Sequence, residues 1–410
     1  MIMIPVLLSE ITTTNNGIGL LTDMTSCTVT EELNGMWELE FDYPTTGIHY
    51  EDIKVGRLIR TLAEEGATIP EFFRIYRVST PMTGAVTVYA QHITYQLNYV
   101  PVMPIDEEFR TPAQALALMC QRAVGTSPYN SQYLRHIVAS PCTFDFYADD
   151  LPLDTKKFGL KKPESLRSVI GGKEGGFLET YGGEIKWVGQ SSACEVRIMA
   201  SRGSDNGLVI EYGKNMTSLL NEQTSIGAIT GICPYASYME TVELTPDEGG
   251  SGDITPGEDI GVTETVVTLP EKVIESSYAS AWPFKRTACL DMSDRFTDTR
   301  YGIDPADLRT VAQKFVDDNA LGVPRVSLEV GYLSIKNELL GSQADSANTV
   351  HLGDTVTIRF RELGIETKEK VVKTVYNVLQ DRWESVTIGT QMDDLAETLS
   401  SLQIGTDVIN

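Results

Sequence analysis

Positive charge and histidine are scarce in this sequence. Its 410 residues include 33 Lys or Arg, 57 Asp or Glu and four His, and the formal net charge at pH 7 is −24. Proteins that bind a nucleic-acid backbone or an anionic membrane surface need Lys and Arg to neutralise the phosphates. We therefore exclude both classes. A conduit that nucleic acid crosses without adhering remains compatible with this charge.

Long apolar runs and clustered cysteines are also missing. No run of 18 apolar residues occurs, so we expect no membrane-spanning helix and no stable membrane insertion. Apolar residues near Met1 follow no basic region and precede Glu10, which favours an N-terminal strand over a secretory signal. None of the cysteines forms a C-x-x-C pair or has a histidine at zinc-finger spacing, so we predict buried thiols and no zinc site. The six are Cys27, Cys120, Cys142, Cys194, Cys233 and Cys289.

Catalytic motifs are absent too. The sequence contains no GxxxxGK[ST], no H-E-x-x-H and no G-x-S-x-G. A Ser-His or Cys-His site would need His49, His92, His136 or His351. We interpret His92, which lies at a strand end among aromatic residues, as a hydrogen-bonded structural histidine. The 57 acidic residues offer many carboxylate pairs, and none is singled out. We predict no catalytic residue, no cofactor and no metal ligand.

Strand patterns dominate what is present. Between Glu32 and Pro44 the apolar residues alternate with Glu38, Glu40 and Asp42, which is the period of a half-buried strand. Asn34-Gly35 before it indicates a turn. Further strands are predicted over residues 73–78, 85–91, 355–361, 370–379 and 384–389. The glycine-rich segment 171–176 lacks the spacing of a phosphate-binding loop, and we predict a loop there, followed by a hairpin over 176–188.

Helices are fewer. Thr111-Pro112 is typical of an N-cap and first helical residue, and the helix continues to Val124. A short helix is predicted from Lys162 to Ile170 and another from Asp304 to about residue 319. A final apolar stripe indicates either a packing helix or an oligomer seam. It comprises Met392, Leu395, Leu399 and Leu402.

The segment 244–265 is rich in Gly, Pro and acidic residues, and we predict a solvated linker there. Calcium is the alternative for such a loop, but the D-x-D-x-D-G pattern is absent.

Two stretches far apart in the sequence contain the same features in the same order. Each has a glycine before a strand, then a middle strand with an aromatic residue, then a closing V-T-V or V-T-I strand. They comprise residues 55–60, 73–78 and 85–91, and residues 352–358, 371–376 and 385–391. This internal echo predicts two small β-barrels of the same kind at the two ends of the chain.

Several segments, taken in order, resemble phage minor structural proteins of the tail-tip hub, or prophage tail endopeptidase-like, family. The first are Asn16–Leu21 and Glu31–Pro44, and Phe73–Ile75 with Val88–Leu97 follows. Gly175–Glu179, Glu211–Met216 and Leu352–Val356 complete the set.

The resemblance implies an α+β, β-rich fold similar to phage baseplate hub proteins. It would have two related antiparallel tube-type β-barrel domains and α/β insert domains. Residues 1–100 form the first barrel, and residues 206–243 with 322–391 form the second. Residues 101–205 form a peripheral α+β insert, and residues 244–321 form the acidic linker and a helix-containing insert. Residues 392–410 form an amphipathic C-terminal tail.

By this resemblance we expect a structural protein of the virion tail tip or baseplate, assembled in the bacterial cytoplasm. Three copies form a ring that caps the tail tube and surrounds an axial channel for DNA. Its expected partners are the distal tail and tail tube proteins, with the tape measure protein in the lumen and tail fibre or receptor-binding proteins as further neighbours. The DNA passes without specific binding.

Two other functions remain open from the sequence. One is a tail-associated peptidoglycan hydrolase or endopeptidase that acts during host penetration. Longer relatives carry lytic or fibre-like domains after the hub, whereas this sequence ends at Asn410, so we expect no enzymatic activity. The other is a carbohydrate-binding adhesin within residues 101–205. Its sugar platforms would be Tyr129, Tyr133, Phe144, Phe146 and Tyr147.

Overall fold

The computed structural model describes residues 3–11, 17–82, 84–125, 127–128, 135–148, 150–171, 175–224, 229–243, 260–296, 302–318, 321–322, 325–332, 349–361 and 365–389. The predicted C-terminal stripe from Met392 to Leu402 lies outside these residues, as do Tyr129 and Tyr133. Within the described residues, no helix is both long and apolar enough to cross a membrane. The chain divides into two units. Unit 1 comprises residues 1–222 and 327–391, and unit 2 comprises residues 223–326 and 392–410.

Most of the regular secondary structure consists of strands. The first half of the chain contains β1 (Val6–Leu8), β2 (Gly19–Leu20), β3 (Ser26–Glu32), β4 (Trp37–Pro44), β5 (Leu58–Thr61), β6 (Glu71–Ser79), β7 (Ala85–His92), β8 (Pro101–Val102), β9 (Ile105–Arg110), β10 (Ser127–Pro128), β11 (His136–Ala139), β12 (Cys142–Tyr147), β13 (Lys156–Leu160), β14 (Glu164–Ser165), β15 (Glu184–Val188) and β16 (Ala193–Met199). The second half contains β17 (Val209–Glu211), β18 (Met216–Thr224), β19 (Gly231–Glu243), β20 (Ile260–Thr268), β21 (Ile274–Glu275), β22 (Thr287–Asp291), β23 (Arg325–Tyr332), β24 (Thr355–Phe360), β25 (Ile365–Asn377) and β26 (Arg382–Gly389). The α-helices are α1 (Pro112–Arg122), α2 (Leu166–Gly171), α3 (Phe177–Tyr181) and α4 (Pro305–Asp318).

One large sheet joins the two ends of the chain. Its strand order is β18-β23-β26-β25-β3-β4-β7-β6-β5-β1-β2, with β24 beside β25 and β17 beside β24. The junction is the antiparallel pairing of β25 with β3, in which Lys373 lies opposite Glu32 and Asn377 opposite Thr28. The sheet is therefore continuous across the strands of both echo segments. The strands form an open path, and no closed barrel is seen among the described residues.

The two echo segments form motifs with the same strand order. In the first motif β5 pairs with β6, β6 pairs with β7, and β7 pairs with β4. In the second motif β24 pairs with β25, β25 pairs with β26, and β26 pairs with β23. All of these pairs are antiparallel. Each middle strand also has a β-bulge where it faces the closing strand, between Ile75 and Arg77 in β6 and between Val371 and Lys373 in β25. The bulge of β6 faces Ala90 and Tyr89, that of β25 faces Ile388 and Thr387, and β25 has a second irregularity between Val375 and Tyr376. The motifs therefore share their strand order and a bulged middle strand, but not the site of the bulge.

The predicted alternation in β4 is confirmed. Trp37, Leu39, Phe41 and Tyr43 are buried, and the residues between them are half-buried or exposed. Strands β3 and β7 alternate in the same way. The predicted turn before β4 is also present, and Asn34 adopts a positive φ of 59° there. Its side chain hydrogen-bonds the backbone of Gly183 and Ile185, which attaches the β3–β4 turn to the insert.

The insert over residues 101–205 contains a five-stranded sheet in the order β10-β11-β12-β16-β15 and helices α1 to α3. The predicted start of α1 is confirmed. Thr111 Oγ1 accepts from Gln114 N, and the Gln114 side chain accepts from Thr111 N, which is a complete capping box. The predicted hairpin over 176–188 is wrong in its first half, where α3 forms. Phe177 and Tyr181 have helical spacing and pack together against Phe158.

Unit 2 is built on a four-stranded sheet. Strand β19 pairs with β20 and β21, and β22 runs parallel to β19. Helix α4 places Leu308, Ala312 and Val316 in a core that includes Ile232 of β19 and Leu290 of β22. The predicted linker over 244–265 is wrong at its end, because residues 260–265 belong to β20. The sequence predicted that the segment of β19 belongs to the second barrel. In the structure β19 pairs with β20, β21 and β22.

The Gly353 turn fits closely against the loop after β16. Gly353 has a φ of 89°, and a Cβ there would lie 2.5 Å from the carbonyl oxygen of Arg202. Asp354 is buried, and its carboxylate accepts from the backbone N–H of Ser204 and of His351. The Leu352-Gly353-Asp354 segment therefore needs glycine for both its backbone conformation and the close approach.

Candidate functional site

The joined sheet of unit 1 has a polar face that crosses both motifs. We define the polar face as the side chains that alternate with the core residues on five adjacent strands. They are Thr28, Thr30 and Glu32 on β3, Glu38, Glu40 and Asp42 on β4, Thr87, Tyr89 and Gln91 on β7, Lys373, Val375 and Asn377 on β25, and Ser385 and Thr387 on β26. All are half-buried or exposed. The face thus consists mainly of hydroxyl, amide and carboxylate groups, with Lys373 and Val375 among them.

Its carboxylates are concentrated on β4. Asp42 accepts from the hydroxyls of Ser26 at 2.9 Å and Thr87 at 2.7 Å. Glu38 accepts from the Tyr76 hydroxyl at 3.1 Å and the Gln91 amide at 3.2 Å. These donors are neutral, so the negative charge of both carboxylates is not cancelled by the groups that orient them.

Positive charge lies to either side of β4. Lys373 of β25 pairs with Glu32 at 2.9 Å. On β6, Arg77 stacks over the ring of Tyr89 at 3.7 Å, and Arg74 donates to the carbonyl of Gly56. The polar face is therefore mixed in charge, with an acidic centre on β4.

A hydroxyl, an imidazole and a carboxylate line up beneath this sheet in the order that a hydrolase would use. Thr94 Oγ1 lies 2.8 Å from His92 Nδ1, and His92 Nε2 lies 3.2 Å from Glu71 Oε2. His92 and Thr94 are both 0% exposed. The Trp37 indole stacks on the His92 ring at 3.7 Å between centroids. The hydroxyl is therefore closed to a substrate in this conformation.

The carboxylate of this group is held by structural donors. Glu71 also accepts from Gly189 N at 2.7 Å and from Gln190 Nε2 at 2.9 Å. Burial lowers the pKa of His92 more than the hydrogen bond and charge of Glu71 raise it. His92 is accordingly neutral at pH 7, and the group attaches β6 and β7 to the loop after β15. This placement confirms His92 as a structural histidine.

A cleft of about 250 Å³ lies beside this group. Trp37, Glu64, Lys186 and Trp187 contribute to its lining. So do Glu31 and Arg202, whose side chains form an ion pair at 2.7 Å.

The Glu31–Arg202 pair is almost fully buried. Glu31 is 6% exposed and Arg202 8% exposed. Burial acts to lower the pKa of Arg202, but the charges of Glu31, Glu64 and Glu184 raise it overall. The pair connects β3 to the loop after β16. The sequence could have indicated a buried charge here, because Glu31 is a charged residue at an inward-facing position of the alternating β3 pattern.

The other three histidines each contact a carboxylate and are partly exposed. His49 pairs with Asp52 at 3.4 Å, His136 with Asp145 at 2.6 Å and His351 with Glu64 at 3.3 Å. The hydrogen bond to Glu64 raises the pKa of His351 despite partial burial. None of the described residues form a group of three or more His, Cys, Asp or Glu side chains that could hold a metal ion.

The remaining candidates from the sequence lie mostly in the core. Phe144 and Phe146 are buried, so they do not form sugar platforms, whereas Tyr147 is half-buried with Arg197 over its ring. The prediction of buried thiols is confirmed for four cysteines, namely Cys27, Cys120, Cys142 and Cys194. It is wrong for Cys289, which is exposed, and Cys233 is half-buried.

Comparisons with known proteins agree with this fold. Residues 204–399 match the model of the prophage endopeptidase tail family. A prophage tail protein from Listeria monocytogenes EGD-e has a similar structure, with a TM-score of 0.52 and 14% identity over 98% of this chain and 99% of that one. The 43 kDa tail protein of prophage MuSo2 from Shewanella oneidensis gives a TM-score of 0.51 and 10% identity over 94% and 98%.

A search of curated proteins finds no match. The family match and the structural similarity both point to a component of a phage tail. The resemblance to prophage tail proteins is therefore confirmed, in sequence over residues 204–399 and in fold over nearly the whole chain.

Proposed function

We propose that this protein is the structural hub of a phage tail tip. Three copies would form a ring that caps the tail tube, joins it to the distal tail protein and surrounds the axial channel. The tape measure protein would occupy the lumen before ejection, and fibre or receptor-binding proteins would attach outside. Each chain would supply two tube-type domains, centred on the β4–β7 and β23–β26 motifs.

One observation carries the proposal, namely that the two motifs share their strand order and a bulged middle strand and lie in one continuous sheet. A chain with two equivalent motifs can match sixfold symmetry with three copies, because each copy then fills two positions of a ring. The β3–β25 pairing would fix the spacing between those positions within each copy.

The polar face would line the channel in this arrangement. Adhesion of DNA comes mainly from Lys and Arg contacts to phosphates. A lining of hydroxyls and amides with acidic side chains on β4 supplies few such contacts and repels phosphate locally. The genome would then slide past the hub without specific binding.

The native mass tests the ring. We expect the protein alone to have three times its monomer mass of 45.1 kDa, or to contribute three copies to the complex that it forms with purified tail tube rings and distal tail protein. Mass photometry or sedimentation measures this directly. A chain that stays monomeric in the presence of both partners contradicts the proposal.

A charge reversal tests the channel. Glu40 is exposed on the polar face, and Asp154 is exposed in the insert. We expect the Glu40→Lys ring to retain double-stranded DNA at low salt, whereas wild type and the matched control Asp154→Lys do not. Equal retention by both variants would show that the polar face does not meet the DNA.

We further propose that the described part of the protein has no peptidoglycan-cleaving activity. The support is the full burial of Thr94 and His92 and the use of Glu71 by structural donors. A zymogram on bacterial cell walls tests this. Clearing by the purified protein that is lost in both Thr94→Val and Glu71→Gln, with the fold retained, would establish the hydrolase instead.

A further inference from the structure

Two cysteines of unit 2 lie side by side on parallel strands. Cys233 of β19 is the register partner of Cys289 of β22. Adjacent strands are about 4.8 Å apart. A disulfide needs Cα atoms roughly 4.4–6.8 Å apart, so partners in register meet this condition without movement of the backbone.

Both side chains lie on the sheet face opposite helix α4. Their neighbours Ile232 and Leu290 point to the other side, where they pack in the core with α4. Cys289 is exposed and Cys233 half-buried, whereas the other four cysteines are buried. Dissolved reagents can therefore reach Cys289 more readily than any other thiol of the chain.

The two thiols also contact each other. Burial raises the pKa of Cys233, and the charge of Cys289 and its hydrogen bond to Cys233 add to this effect. Cys233 is therefore held as a neutral thiol beside the exposed sulfur of Cys289. This arrangement favours oxidation of Cys289 first, with Cys233 as the resolving thiol.

We propose that Cys233 and Cys289 form a redox-sensitive pair that closes to a disulfide under a hydroperoxide. In the first step the Cys289 sulfur attacks the peroxide O–O bond and becomes a sulfenic acid, and one water leaves. In the second step the Cys233 sulfur attacks the Cys289 sulfur. The S–S bond forms, the S–O bond breaks, and the Cys233 proton leaves with the hydroxide as a second water. The two thiols are oxidised by two electrons, and one hydrogen peroxide is reduced to two waters.

The disulfide would join β19 directly to β22 and enclose β20, β21 and the acidic segment 244–259 in one covalent loop. In a reducing cytoplasm the pair stays open. After release of the particle from the host the pair would close and fix the unit 2 sheet. Only this timing rests on the proposed tail function, because the chemistry depends on the two strands alone.

Peptide mapping tests the proposal. The full-length protein is purified under reductant, exchanged into buffer, treated with hydrogen peroxide and digested without reduction. We expect a linked pair of peptides that contains Cys233 and Cys289 and has lost two hydrogens. Thermal unfolding of unit 2 should shift upward by roughly 10 °C or more on oxidation.

The variants Cys233→Ser and Cys289→Ser provide the controls. In Cys233→Ser we expect a sulfenic acid at Cys289 that a dimedone probe captures, and no linked peptide or thermal shift. Cys289→Ser should show neither the sulfenic acid nor the shift. The proposal is overturned if wild-type Cys289 is trapped as a stable sulfenic or sulfinic acid while Cys233 stays free, or if Cys289 does not react. These outcomes do not depend on the native mass, so they are separate from a failure of the hub proposal.

Discussion

Removal of Arg202 should leave a buried and uncompensated carboxylate on Glu31. The side chains of Arg202 and Glu31 are 10% and 8% exposed and 2.7 Å apart, and Arg202 also donates to the carbonyl of Ile185. Loss of one partner of such a pair costs about 3–5 kcal/mol. Because whole domains are stable by about 5–15 kcal/mol, Arg202→Met should remove about a fifth or more of the stability of unit 1.

Urea unfolding followed by tryptophan fluorescence measures this loss, since Trp37 and Trp187 line the same cleft. Arg197→Met is the matched control. Arg197 pairs with Glu195 at the surface, with exposures of 51% and 33%, so its loss should leave the unfolding midpoint nearly unchanged.

A double variant separates the two causes of the loss. Arg202→Met combined with Glu31→Leu removes both charges, and its cost should be well below that of Arg202→Met alone, because no ion remains buried. A midpoint for Arg202→Met equal to that of Arg197→Met would refute the reasoning. So would a double variant whose cost equals the sum of the single costs, because the two residues would then not interact.

Three further perturbations have defined outcomes. Gly353→Ala should cost about 1–3 kcal/mol in urea unfolding, because a Cβ there meets the Arg202 backbone at a positive φ; an unchanged midpoint contradicts the close approach. The folded pKa of His92 lies below its ordinary value, so the unfolded chain binds the proton first and stability falls as the pH drops below about 6.5. The raised pKa of His351 has the opposite effect on stability. Its stabilising contribution is complete below about pH 6.5 and is lost as the pH rises through the pKa of His351 in the folded protein. In pH-dependent unfolding His92→Gln should therefore flatten the loss of stability below about pH 6.5. His351→Gln should instead remove the gain in stability as the pH falls from the folded pKa of His351 to about 6.5, and the same effect in both variants contradicts the assignment. Thr111→Ala should lower stability by about 1 kcal/mol in urea unfolding through loss of the α1 cap, and Thr111→Ser should retain most of it.

Features set by neighbouring residues could be predicted from the sequence. The alternation of Trp37, Leu39, Phe41 and Tyr43 follows from a strand with one buried face, and the start of α1 follows from its Thr-Pro cap. The hairpin prediction over 176–188 was wrong at α3, because the helical spacing of two aromatic residues is a weak signal in so short a segment.

Features set by distant residues could not be predicted in the same way. The partner of Glu31 is a residue in a loop far along the chain, and period-two patterns carry no information on which strands pair. The Thr94–His92–Glu71 group likewise depends on the bulged register of β6 against β7. The internal echo did indicate two related motifs, but the sequence did not show that β3 and β25 join them.

That junction also bears on how the protein is made. Strand β3 is synthesised long before its partner β25, since Glu32 pairs with Lys373. Until β25 emerges, the open edge of β3 has unpaired N–H and C=O groups, which can pair with another chain. Contacts this distant in sequence also slow folding. The nascent chain should therefore depend on protection by chaperones until β25 emerges, and slower translation of the second half should lengthen the interval in which it can aggregate.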